Sequence, residues 1–149
     1  MYARILIASD GSELADRALD HGLQLAKLAG SEVTIVTVTE PVTIVGGGYA
    51  SIAGGVVDPL PELVDAQEKA ARELLQRAAK RAADQGVTAK TVLVDNTFAA
   101  EGVVATANEI GAELIIMGSH GRRGLDRLLL GSQTNNVLAH TKIPVLVTR

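Results

Sequence analysis

The segment from Gly118 to Thr134 reads GSHGRRGLDRLLLGSQT. Its glycines follow a fixed pattern: Gly118-Ser119-His120-Gly121, then nine residues, then Gly131-Ser132. No lysine stands where a Walker-type P-loop would need one for its phosphates. What the segment offers is backbone. Glycine lets the main chain come close to a ligand and take conformations that other residues avoid. Gly131-Ser132 falls where a helix begins, so unpaired N–H groups and the positive end of the helix dipole point outward there. Ser132 can cap that helix and also present a hydroxyl. Phosphate oxygens suit such a place. The plainer reading is that Gly118 and Gly121 end a strand and Gly131 starts a helix.

The side chains nearby leave choices open. Arg122, Arg123 and Arg127 either neutralise a polyphosphate tail or form a solvated face beside Leu125, Leu128 and Leu129. Asp126 reads as their salt-bridge neighbour rather than a metal ligand. His120 reads as a solvent-facing loop histidine rather than a base, because no acidic pair and no Ser-His-Asp order stands near it. His21 and His140 fall on helical segments as surface or rim residues. Asp10 sits directly after an apolar run. It can contact a ligand there or cap a turn through an Asx hydrogen bond.

The elements that must hold these residues alternate along the chain. Ile5–Ala8 is a short continuous apolar run and reads as a strand, as do Val33–Val38, Thr91–Val94, Leu114–Met117 and Pro144–Val147. Runs without alternation suit strands covered on both faces. Between them, helical spacing appears after Ser12, an N-cap candidate, up to Gly30. It appears again at about Glu62–Gln85, Glu101–Ile110 and Ser132–His140. In the second helix the apolar pairs are Leu63/Val64, Ala70/Ala71, Leu74/Leu75, Ala78/Ala79 and Ala82/Ala83. Strands alternating with helices imply right-handed crossovers and a parallel sheet with helices on both faces. Residues 41–61, rich in glycine, form the one candidate insertion, suited to a lid or a partner-contacting loop. Open sheets of this kind bind ligands at the carboxyl ends of their strands, where the strand order reverses. If the first and fourth strands are neighbours there, Asp10 and Gly118 meet in one crevice.

Composition narrows the function classes. At 149 residues the chain suggests one domain, 1–149, with enough length for its own core. Fourteen basic against seventeen acidic residues give a net charge of −3. That balance argues against a protein whose business is nucleic acid or a membrane surface. The scarce aromatics, Tyr2, Tyr49 and Phe98, also argue against single-strand stacking platforms. The absence of cysteine excludes disulfides, thiolate catalysis and Cys-based zinc sites. The first residues lead straight into a strand-like run without a signal-peptide pattern, and no apolar run approaches a membrane span. A cytoplasmic location is the expectation.

The glycine pattern and its flanks carry a resemblance. The spacing G-x-x-G, nine residues, G-[S/T] is similar to the ATP-binding motif of the universal stress protein family. Leu114-Ile-Ile-Met-Gly-Ser-His-Gly before it, Pro144-Val-Leu-Val-Thr-Arg at the C-terminus and Ile5-Leu-Ile-Ala-Ser-Asp-Gly-Ser at the start resemble the same family. The likeness covers essentially the whole chain outside residues 41–61. It implies an open five-stranded parallel sheet of order 3-2-1-4-5, Rossmann-like and similar to the adenine nucleotide alpha hydrolase fold. It also implies membership of the family's nucleotide-binding branch. Carried over by position, Asp10 would meet the ribose or adenine side. Ala8, Ser9 and Val38 would line the adenine pocket, with Met117 beside it. Gly118, Gly121, Gly131, Ser132 and Thr134 would hold ribose and phosphates, and Arg122 joins that set as a phosphate-side candidate. Gln133 stands where a small apolar residue is often seen in the family, although its backbone N–H remains able to serve.

The implied ligand is ATP, or ADP or AMP, with any Mg²⁺ held mainly by phosphate oxygens and water. The implied assembly is a homodimer that covers the apolar edge strand 144–148, which alone would be an aggregation hazard. Three functions compete. The first is a nucleotide-dependent regulatory module of a stress response, with a regulatory protein as partner and no dedicated catalysis. The second is a slow ATP hydrolase or self-phosphorylating protein using Ser119, Ser132 or Thr134. The third is a ligand-free scaffold that binds a partner through residues 41–61.

Overall fold

A computed structural model describes residues 1–42, 61–120 and 130–149. Gly121, Arg122 and the rest of 121–129, and residues 43–60 of the expected insertion, lie outside the described residues. The described elements run β1 (Arg4–Ala8), α1 (Glu13–Ala29), β2 (Glu32–Val38), α2 (Pro61–Asp84), β3 (Ala89–Val94), α3 (Ala99–Glu109), β4 (Leu114–Gly118), α4 (Ser132–His140) and β5 (Val145–Thr148). The five strands form one sheet of order β3-β2-β1-β4-β5. Every pairing is parallel, with Ile7 level with Ile35 on one side and Ile116 on the other.

The period-two pleat sorts the strand residues between two layers. Ile5 and Ile7 of β1, Val33 and Ile35 of β2, and Leu114 and Ile116 of β4 point to one face, under α1 and α2. Leu6, Val36, Ile115 and Met117 point to the other, under α3 and α4. Both faces are therefore apolar, which is why the strands read as continuous hydrophobic runs. The helices follow the same logic. α1 buries Ala15, Ala18, Leu19, Gly22, Leu23 and Ala26, one stripe at three- and four-residue spacing. Ser12 caps it, its hydroxyl accepting from Ala15 N–H at 3.2 Å. Gly30 closes it in the left-handed conformation, φ 68°.

Several boundaries differ from the sequence reading, each for a local reason. β3 starts at Ala89 rather than Thr91, because it is a sheet edge whose first residues are half-exposed and need no apolar run. α3 starts at Ala99 rather than Glu101. Its N-cap is Phe98, which supplies no side-chain hydrogen bond and so gave no start signal. Pro144 lies just ahead of β5, yet its carbonyl accepts from Ile115 N–H at 2.9 Å. In α2 the buried stripe is Ala71, Leu74, Leu75, Ala78 and Ala82. Leu63 and Val64, the first of the expected apolar pairs, are exposed instead. No described helix is long and apolar enough to cross a membrane.

The sheet order fixes where a site can lie. From β1 the chain passes to α1 on one face and goes on toward β2 and β3. From β4 it passes to α4 on the other face and goes on toward β5. The carboxyl ends of β1 and β4 are neighbours, and the chain leaves them in opposite directions. The crevice between them is a topological switch point.

Candidate functional site

β1 ends at Ala8, and Ser9-Asp10 follow it into the crevice. Ser9 is buried and fixed three ways. Its N–H donates to Val36 O at 2.9 Å, its carbonyl accepts from Thr37 Oγ1 at 2.9 Å, and its hydroxyl accepts from Gly11 N–H at 3.4 Å. Asp10 Oδ1 accepts from Ser12 N–H at 3.0 Å, the Asx turn expected as the plainer reading. That bond fixes the carboxylate at the mouth of the crevice rather than removing it. Asp10 lines both cavities found there.

β4 ends at Gly118, close against the first turn of α1. A Cβ on Gly118 would stand 3.0 Å from the backbone carbon of Leu14 and 3.2 Å from Ala15 N. The next carbonyl, Ser119 O, accepts from Gly131 N–H at 2.8 Å, which docks the start of α4 on the exit of β4. Gly131, not Ser132, is the N-cap of α4. This corrects one expectation: Ser132 is the exposed first helical residue and does not cap the helix with its side chain. A second correction concerns donors. The Gly131 N–H is already used by Ser119 O. The first helical bond of α4 runs from Asn135 N–H to Gly131 O at 3.0 Å. The amides of Ser132, Gln133 and Thr134 precede that ladder, so these three are the donors available to an anion.

Gly131 starts the helix, as the plainer reading has it, and it is also closely packed. Its backbone, φ −62° and ψ 154°, is open to any residue. Its Cβ would lie 3.0 Å from Ser119 O and 3.2 Å from His120 Cα. Close packing of two main chains, not an unusual dihedral, disfavours a side chain here.

Thr134 is almost wholly buried, and its hydroxyl donates to Gly118 O at 3.0 Å and Ser119 O at 3.2 Å. That hydroxyl therefore ties α4 to β4. Thr134→Val keeps the shape and deletes that donor. We expect it to lose about 1–2 kcal/mol in urea denaturation. A loss below about 0.3 kcal/mol would mean that the shared bond contributes nothing.

Two cavities open on this framework. The inner one, about 100 Å³, lies at the β1–β4 crevice and is mostly apolar, with Ala8, Val36, Val38, Val103, Met117 and Val137 in its wall. The outer one, about 490 Å³, is lined by the start of α4, by Thr37 of β2 with Thr39 and Glu40 after it, and by Gln67 and Leu74 of α2. Asp10, Val38, Ala99, Gln133 and Thr134 line both and so mark the boundary between them. Of the expected residues, the described ones come together here. Ala8, Ser9, Met117 and Gly118 face the inner cavity, Gly131 and Ser132 the outer, and Asp10, Val38, Gln133 and Thr134 both. The sequence reading missed the contribution of α3, through Ala99, Ala100 and Val103. It also missed Gln67, whose Nε2 donates to Glu40 O at 3.0 Å. His120, set aside as a solvent-facing residue, also lines the inner cavity, with Nδ1 3.1 Å from the Ser119 hydroxyl.

The model of the universal stress protein family matches residues 1–149. This chain belongs to the universal stress protein family. It is 32% identical to the universal stress protein YxiE of Bacillus subtilis, with both chains fully covered. It is also 32% identical to the universal stress protein MJ0577 of Methanocaldococcus jannaschii, covering all of this chain and 96% of that one. The solved structure of MJ0577 superposes with a TM-score of 0.78 over 99% of this chain and 96% of that chain. A universal stress protein solved in complex with cAMP, 26% identical, superposes with a TM-score of 0.72 over 99% of this chain and 97% of that one. The five-stranded sheet with its switch-point crevice is thus the universal stress protein fold. The cAMP complex is a member of that fold whose bound molecule is an adenine nucleotide.

Proposed function

We propose that this universal stress protein belongs to the ATP-binding branch of its family. In this reading it acts as a nucleotide-dependent regulatory module in a stress response. The observation that carries the reading is the junction of two unlike surfaces at one switch point. An apolar inner cavity suits a purine ring, and it opens toward three first-turn amides of α4, which suit phosphate oxygens. The likeness to a cAMP-bound relative supports the adenine assignment. In this reading Val38 and Met117 hold the base, and the amides of Ser132, Gln133 and Thr134 hold phosphate. Gly118 and Gly131 keep the two main chains close enough to form the cradle. ATP, ADP and AMP share the same base and sugar. Any Mg²⁺ is carried by the phosphates.

We also propose that the protein is a homodimer. β5 pairs with β4 on one side only within this sheet, and its Leu146 is exposed. A second copy of β5 would cover that edge.

The test is direct. Freshly purified protein is denatured and the released small molecules are separated. Stripped protein is then titrated with ATP, with and without Mg²⁺, while light scattering reports its mass. Co-purified adenine nucleotide or micromolar ATP binding, on a particle of twice the chain mass, is the expected result. An empty protein that ignores ATP would overturn the nucleotide reading, and a monomer at high micromolar concentration would overturn the dimer.

A further inference from the structure

The boundary between the two cavities holds a side chain whose chemistry the phosphate cradle does not use. Gln133 reaches from the first turn of α4 to the first turn of α3, where its Oε1 accepts from Ala100 N–H at 3.1 Å. An N–H can only donate, so this contact settles which end of the carboxamide faces α3. The oxygen is committed, and Nε2, with two N–H donors, is turned away from Ala100. Among the described residues no group accepts from Nε2.

The place of those donors follows from the covalent order of a nucleotide. The base suits the apolar inner cavity and the phosphates suit the amides of α4. The sugar, which joins them, then crosses the boundary. The polar side chains on that boundary are Asp10, Thr134 and Gln133. Asp10 as a carboxylate can only accept. The Thr134 proton is given to Gly118 O and Ser119 O. Gln133 is the boundary side chain with donors left to give. We infer that Gln133 reads the sugar: its Nε2 donates to a ribose hydroxyl oxygen, so the site distinguishes ribonucleotides from deoxynucleotides. This inference rests on the nucleotide-binding reading and adds a specificity residue to it.

Gln133 also has a structural role, because it supplies the α3 cap that Phe98 lacks. The test must separate the two. Gln133→Met keeps the length and removes both ends of the carboxamide. Phe98→Asp places a carboxylate at an exposed N-cap with extended backbone, where it can accept from Ala100 N–H instead. ATP, 2′-deoxy-ATP and 3′-deoxy-ATP are titrated against the wild type, Gln133→Met and the Phe98→Asp/Gln133→Met double variant, with thermal melts of each.

The wild type should prefer ATP over at least one deoxy analogue by about tenfold, the scale of one hydrogen bond in a partly buried site. In Gln133→Met that preference should fall to about one, because ATP loses a hydrogen bond that the analogue never makes. In the double variant the melting temperature should recover while the preference stays near one. A wild type that binds all three nucleotides equally overturns the inference. So does a preference that survives in Gln133→Met, or one restored by Phe98→Asp, which would make Gln133 a helix cap alone. A wild type that binds none of the three overturns the nucleotide reading itself, an outcome distinct from equal binding of all three.

Discussion

Gly131→Val is expected to lose adenine-nucleotide affinity by roughly 100-fold or more while the protein still folds. A Cβ at this position meets Ser119 O at 3.0 Å and His120 Cα at 3.2 Å, both main-chain atoms that cannot rotate away. The branched Val side chain adds two methyls beyond that Cβ. The start of α4 must then retreat from the exit of β4, and the Gly131 N–H to Ser119 O bond of 2.8 Å goes with it. The amides of Ser132, Gln133 and Thr134 move as one rigid turn. Hydrogen bonds from a helix terminus to an anion are charge-assisted and short, so a displacement of about 1 Å removes most of their strength. Two such bonds lost, each worth about 1.5–3 kcal/mol, account for the fall in affinity. The measurement is a calorimetric titration with ATP and with adenosine. ATP should suffer far more than adenosine, because the phosphates depend on the first-turn amides of α4, whereas the base cavity meets that turn only through Gln133 and Thr134 and is otherwise walled mainly by β1, β2, β4 and α3. Leu23→Ala is the control, a fully buried residue of the α1 core that lines neither cavity. It should lower the melting temperature and leave ATP affinity near the wild-type value. Equal losses for ATP and adenosine in Gly131→Val would mean that α4 supports the cavity without touching phosphate.

The glycine pattern was legible in the sequence because it is a demand of main-chain geometry, and such demands admit few residue types. The reason behind each glycine was not legible. Gly131 read as the start of a helix; its close packing, at an unexceptional φ of −62°, shows only in the structure. Nor was it legible that the Thr134 hydroxyl ties α4 to β4. Both depend on which carbonyl lies nearby, and that carbonyl belongs to Ser119, more than ten residues away in sequence.

The strands and layers were legible because both faces of the sheet are covered, which leaves unbroken apolar runs in β1 and β4 and a run broken only by threonines in β2. Nothing in those runs tells which strands adjoin; the order came with the family resemblance and the structure bears it out. The part played by α3 was hidden for a related reason. Ala99 and Ala100 are small residues before the first periodic apolar position, so they look like loop. They line the inner cavity because the cap on their helix arrives from Gln133, across the crevice.

Gly22→Val should destabilise the protein by about 2–3 kcal/mol, the upper part of the range for overpacking a filled core. Gly22 lies in the middle of α1, where glycine is a poor helix former, so a local view expects any substitution to help. The packing says otherwise. A Cβ there would stand 2.6 Å from Ile7 Cδ1 and 3.2 Å from Ile116 Cδ1. Ile7 and Ile116 are fully buried neighbours at the centre of the sheet, level with one another in register. Both belong to the buried core cluster under α1 and α2, so moving either one displaces packed neighbours. The few tenths of a kcal/mol that valine gains over glycine in helix propensity cannot offset that overlap. The collision is specific, so it should be relieved in a specific way. Ile7→Val removes Cδ1, the nearest atom, and alone should cost about 1 kcal/mol. In the double variant Gly22→Val/Ile7→Val the two losses should fall short of their sum by at least 1 kcal/mol, since each change fills or empties the same space. Chemical denaturation of the four proteins measures this. Strict additivity would mean that α1 shifts bodily off the sheet rather than colliding with Ile7. In that case Gly118, whose close contact with Leu14 depends on the same helix, would no longer hold the crevice at its present width.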